Sequence, residues 1–194
     1  MRASFLKRML AFFTDYLIIS IVLSIITTGF NIDSKKYNDE LNDIMNNFKN
    51  EEINAEQYTE QILALEYDLQ KTNLPVNGVS CVLFVGYFVI FGYLNKGQTL
   101  GKKLFNIKVV NKNGDRVGLW NMVLRSLFIY GILSTLYSVI CVLFFNVDVF
   151  GFGYKIISAI ESVFLFVSFF MIMYKKDGKG LHDLIAGTYV EEVK

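Results

Sequence analysis

Four long apolar stretches divide this chain, at residues 9–29, 76–94, 119–147 and 156–174. Each approaches or exceeds the roughly 20 residues that a helix needs to cross a hydrocarbon core about 30 Å thick. One such helix could be buried inside a soluble protein. Four within 194 residues leave too little polar surface to cover them. The predicted fold class is an all-α membrane protein: a bundle of four transmembrane helices forming a single domain over residues 1–194.

The charges between the stretches are sorted by sign. Arg2, Lys7 and Arg8 precede the first. Residues 95–118 carry Lys96, Lys102, Lys103, Lys108, Lys112 and Arg116 against Asp115 alone. The tail adds Lys175, Lys176, Lys179 and Lys194. Residues 30–74 instead hold four lysines against ten carboxylates, and the turn between the last two stretches offers Asp148 and Lys155. Basic residues near membrane ends set orientation, whereas acidic ones count little. Both termini and residues 95–118 are therefore expected in the cytoplasm of a multi-pass cell-membrane protein, with the acidic loop outside. The first stretch is too long for a signal-peptide core and no cleavage site follows it, so a retained anchor is expected. Cys81 and Cys141 both lie in apolar stretches, which suggests neither a disulfide framework nor a metal site. A net charge of +1 gives no reason to expect a nucleic-acid partner.

The acidic segment 30–75 has internal order. Ile53, Tyr58, Ile62, Leu65 and Leu69 recur at helical spacing, and Leu41, Ile44, Met45 and Phe48 form a shorter stripe. One or two amphipathic helices are expected there, as a cap over the bundle or as a partner-binding surface. Residues 95–118 read differently. FNIKVV precedes a turn at Asn113-Gly114, and alternation on both sides predicts a small cytoplasmic β-hairpin. The β-prone run GTYVEEV at 187–193 could add a third strand.

Ionisable residues at membrane depth are costly when unpaired, so each needs a partner. Asp15 lies in the first stretch, two helical turns and about 10 Å beyond Arg8. Arg125 enters the third stretch from the same side at a matching depth and is the expected partner of Asp15. The pair would either lock two helices or move a cation or proton. Glu161 is expected about one turn inside the external end of the fourth stretch. Asp183 follows the last stretch in GLHDLIAGT, beside the sole histidine, His182. One histidine and one carboxylate make no metal site, and no nucleophile has a base at its level, so neither cofactor nor catalysis is expected. GQTLGK at 97–102 lacks the spacing of a phosphate-binding loop. Its glycines suit sharp re-entry of the chain.

Three segments, RMLAFFTDYLI, GQTLGKKLFNIKVVNKNGDRVGLWNMVLRS and GKGLHDLIAGTYV, resemble the RDD family of small bacterial membrane proteins and stand in the family's order. The family is named for an arginine and two aspartates. The resemblance places these at Arg8, Asp15 and Asp183, with Gly97, Thr99, Gly101 and Lys102 heading the central segment and Arg125 ending it. It implies a tail that folds back to set Asp183 against Arg8 or residues 101–103. For activity it implies little beyond transport such as sodium–proton exchange in a few members. The acidic loop and Glu161 are not family hallmarks.

Two functions compete. One is cation or proton transport through a network of Arg8, Asp15, Arg125 and Asp183, with Glu161 as a distant station. Four helices make a narrow pathway, so this reading carries a homodimer. The other is a non-transporting scaffold, chaperone or envelope-stress partner. A water-filled route to Asp15 would favour the first, and a dry, fully paired Asp15 the second.

Overall fold

The computed structural model describes residues 2–30, 34–175 and 177–193. Lys176 and Lys194 of the basic tail lie outside them. The first crossing is α1 (Phe5–Thr27), capped by the Ser4 hydroxyl, which accepts from the Lys7 N–H. At 23 residues it is about 35 Å long, enough to span a bilayer. The acidic segment forms two helices, α2 (Ser34–Lys49) and α3 (Ala55–Thr72). Asn54 and Gln57 close a reciprocal capping box at the start of α3.

The second crossing, Leu74–Leu94, is not a uniform helix. It comprises α4 (Leu74–Phe84), a π-helical stretch (Val85–Phe91) and α5 (Gly92–Leu94). A short helix, α6 (Leu100–Leu104), follows and packs on α1. The third apolar stretch is broken. Helices α7 (Leu119–Ile129) and α8 (Ile132–Phe144) meet at an angle of 79°. Gly131 at the break has φ +64°, a conformation that side chains resist. The last crossing, α9 (Val147–Tyr174), is 28 residues long. It begins nine residues before the apolar stretch read from sequence, so Asp148 and Lys155 lie within it and only residues 145–146 join α8 to α9. The tail ends in α10 (Leu181–Ala186) and a strand.

Hydrogen bonds tie the two ends of the chain together. Strand β1 (Ile107–Asn111) pairs antiparallel with β2 (Thr188–Glu192), with Val109 opposite Val190. The Ala3 N–H bonds the Val190 carbonyl at 3.0 Å. Both termini therefore share one face, and the number of crossings must be even. Three helices qualify alone, and the bent pair α7–α8, taken as one broken span, is the candidate for the fourth. The expected hairpin is corrected: Val110 and Arg116 share only a single bridge across the Asn113-Gly114 turn. The tail strand, expected as an addition, is the main partner. Val190 of this strand and Ala3 of the N-terminal segment complete a small core with Ile107, Val109, Val117 and Met122. The hairpin's second arm contributes only Val117 to this core and passes within two residues into α7.

Large apolar side chains are exposed along the spans, among them Phe13, Leu17 and Ile25 on α1 and Phe152, Val163 and Phe166 on α9. A lipid-facing surface explains this, whereas water would not tolerate it. On the far face, α3 is docked on the bundle. The Tyr67 hydroxyl donates to the Phe145 carbonyl at 2.9 Å, and Gln70 accepts from Ser138 at 2.9 Å and from Asn77 at 2.7 Å.

A charged centre at the face of the termini

Two buried carboxylates sit on the terminal side of the bundle, and each has its own partners. Asp15, fully buried on α1, faces residues 99–102. The Gly101 N–H donates to its Oδ1 at 2.7 Å, the Thr99 hydroxyl donates to Oδ2, and the Lys102 ammonium stands 3.9 Å from Oδ2. Tyr87 donates to Oδ1 at 2.6 Å while its oxygen accepts from the Leu100 N–H at 3.0 Å. Tyr87 projects from the π-helical stretch, where an added residue per turn re-aims a side chain. Gly101 is required by close approach, since a Cβ there would lie 2.8 Å from the Asp15 carboxylate.

Asp183, also fully buried, lies on α10 between two guanidinium groups. Arg8 of α1 donates to its Oδ2 and Arg125 of α7 to its Oδ1. The Gly180 N–H adds a bond at 3.1 Å and Thr188 of β2 another at 3.2 Å. Arg8 also bonds the Gly178 carbonyl. One carboxylate thus joins the first helix, the third crossing, the tail helix and the sheet. Burial alone would raise the pKa of Asp183, but Arg125 and Arg8 outweigh it and hold the carboxyl below the usual range. Burial pushes Lys102 down to about 8 against the attraction of Asp15. Burial and Arg125 keep His182 well below its ordinary value. Burial thus favours the uncharged ring, which lies 3.1 Å from the Ser168 hydroxyl.

Arg8 and Asp183 meet as the resemblance implied. The expected Asp15–Arg125 pair does not form. A matching depth for Arg125 requires residues 119–147 to run straight through the membrane, but α7 turns away from α8 and packs on α10. Asp15 draws instead on the donors of Thr99, Gly101 and Tyr87, with Lys102 at 3.9 Å, and Tyr87 is a partner that sequence reasoning missed. No spacing rule marks a tyrosine aimed by a π-helical turn. Thr188, shared by Arg125 at 3.2 Å and Asp183, was missed too, hidden in what read as strand.

Glu161 is also corrected. It lies mid-way along α9, roughly 21 Å from its first residue, because the helix starts at Val147. Its Oε1 accepts from the Ser134 N–H at 3.2 Å. The carboxylate therefore serves the otherwise unpaired N-terminus of α8 at the break. Among the described residues, no group of three or more His, Cys, Asp or Glu could hold a metal.

Beside the charged centre, α1, α7 and α9 border an open cavity of about 540 Å³, lined mostly by Phe, Met, Ile and Leu side chains, with Arg8, Lys102, Arg125, Ser168 and His182 as its polar part.

Apolar spans, a shared terminal face and buried ion pairs define a multi-pass membrane protein with a charged centre at one side. The chain matches the RDD family over residues 2–187 and belongs to it. It is similar to the uncharacterized protein YxaI of Bacillus subtilis (strain 168), 25% identical over 97% of this chain and 95% of that protein. It is also similar to the uncharacterized protein YckC of the same organism, 32% identical over 54% of this chain and 53% of YckC. The latter match spans about half of YckC. No solved structure matches the chain.

Proposed function

We propose that this protein is a non-enzymatic, non-transporting membrane scaffold whose charged centre is a lock. The observation that carries the reading is the saturation of both carboxylates. Asp15 and Asp183 are fully buried, and every oxygen has at least one donor. A carboxylate that exchanges a cation for a proton needs access to water and a free ligand position. A carboxylate that clamps elements needs the reverse. In this reading the terminal face is cytoplasmic, in keeping with its Lys and Arg excess. The α2–α3 hairpin is then a docking surface on the outside, with Met45 and Phe48 exposed on its first helix. Ion flux in liposomes tests this. Purified protein under an imposed pH gradient should move no more protons with sodium or potassium than empty vesicles do. Cation-dependent flux lost in D15N would overturn the lock and establish transport.

A further inference from the structure

We infer that the cavity between α1, α7 and α9 is a binding site for an anionic membrane lipid with one net negative charge. The inference rests on the lock reading, because an ordered charged centre is what holds the cations at the back of the cavity. Three cations, Arg8, Lys102 and Arg125, line it. The carboxylates paired with them are two, Asp15 and Asp183. One positive charge of this buried cluster is therefore unmatched. Donors remain as well. Arg8 gives one N–H to Gly178 and one to Asp183, Arg125 bonds Asp183 and Thr188 through Nη1, and Lys102 bonds Thr99 at 3.1 Å. A guanidinium has five N–H donors and an ammonium three, so phosphate oxygens can be met without dismantling the lock.

The rest of the cavity suits an acyl chain. Its walls include Phe12 and Phe13 of α1, Tyr130 just after α7, and Leu165 and Phe166 of α9. Phe13, Leu165 and Phe166 are also exposed on the lipid-facing surface, so the cavity opens sideways into the bilayer. The Phe5–Phe169 ring pair, with centroids 5.3 Å apart, lies between α1 and α9 near the face of the termini. A lone soluble anion would leave the apolar walls unfilled, and an uncharged lipid would leave the extra cation unmatched. Basic pockets between transmembrane helices are a known way to hold lipid head groups.

Native mass spectrometry of the detergent-solubilised protein, with phosphatidylglycerol and phosphatidylcholine in turn, tests the site. One phosphatidylglycerol per chain should be retained, and it should raise the unfolding midpoint where phosphatidylcholine does not. S162W narrows the cavity from the lipid side without touching the charges, and K102M removes the extra cation. Each should weaken retention by about tenfold or more, one decade being 1.4 kcal/mol. V82W, on the exposed face of α4, should not. If K102M fails to fold, S162W and the head-group comparison decide. Equal retention of both lipids, or retention unchanged in S162W, would reduce the signal to belt lipid and overturn the proposal. Equal stabilisation by inorganic phosphate would overturn the lipid assignment. Cation flux in liposomes would sink the lock, whereas loss of lipid selectivity without flux would sink this site alone.

Discussion

Arg125 of α7 and Asp183 of α10 form a buried ion pair, and Asp15 is left to a separate set of donors. Removing one partner of such a pair leaves an uncompensated buried charge, typically at a cost of about 3–5 kcal/mol. D183N and R125Q should each lower the unfolding midpoint in detergent. The double mutant should lose less than the sum, with a coupling of roughly 1–3 kcal/mol. The R125Q–D15N cycle should show a smaller coupling. Equal coupling in both cycles would contradict the two-cluster arrangement.

Gly101 tests the cradle around Asp15. G101A forces a Cβ against the Asp15 carboxylate and should destabilise by about 1–3 kcal/mol, the usual range for overpacking. G78A is the matched comparison, because open space surrounds that helical position. It should be neutral or slightly stabilising. A G101A protein as stable as wild type would mean that residues 99–102 do not press on α1.

Much of this arrangement was legible in the chain and part was not. Apolar length and charge sorting gave the crossings, and the helical stripes gave α2 and α3, because both signals are local. The family motif marks Arg8 and Asp183 as signature residues, and topology leaves Arg8 or residues 101–103 as the partner; the structure selects Arg8. The choice of partner for Asp15 was not legible, since it depends on the break at Gly131 and the π-helical turn at Tyr87. Neither interrupts the apolar pattern. The pairing of β1 with β2 is not legible for a related reason. The Asn113-Gly114 turn is local and visible, whereas β2 arrives from 80 residues away.

The pH dependence of stability follows from two groups. The pKa of Asp183 is depressed in the folded state, so its contribution is present above the ordinary carboxylate value of about 4 and is lost as pH falls towards the folded value. The midpoint should drop below about pH 4, and the drop should be shallower in D183N. Lys102 is lowered from 10.5 to about 8, so between those values the unfolded chain binds more protons than the folded one. Stability from this residue should rise across that window, and the rise should vanish in K102M. A flat profile from pH 8 to pH 10 in the wild type, unchanged in K102M, would show that Lys102 is hydrated.

Glu161 should behave as a helix cap. E161A removes the acceptor for the Ser134 N–H and should cost about 1–2 kcal/mol, as losing a cap does. E161Q keeps an acceptor and should lose less. Thermal unfolding of the two variants side by side checks this, and identical losses would leave the charge as the only contribution.

The lock itself is tested most directly by hydrogen exchange of the protein in lipid nanodiscs. Asp183 joins α10 and the sheet to α1 and α7, so D183N should lose protection at residues 181–192 and at 107–111, which pair with them. D15N should instead loosen residues 97–104, with β2 still protected. Unchanged exchange at 181–192 in D183N would show that the terminal layer stands without its ion pairs and would contradict the lock.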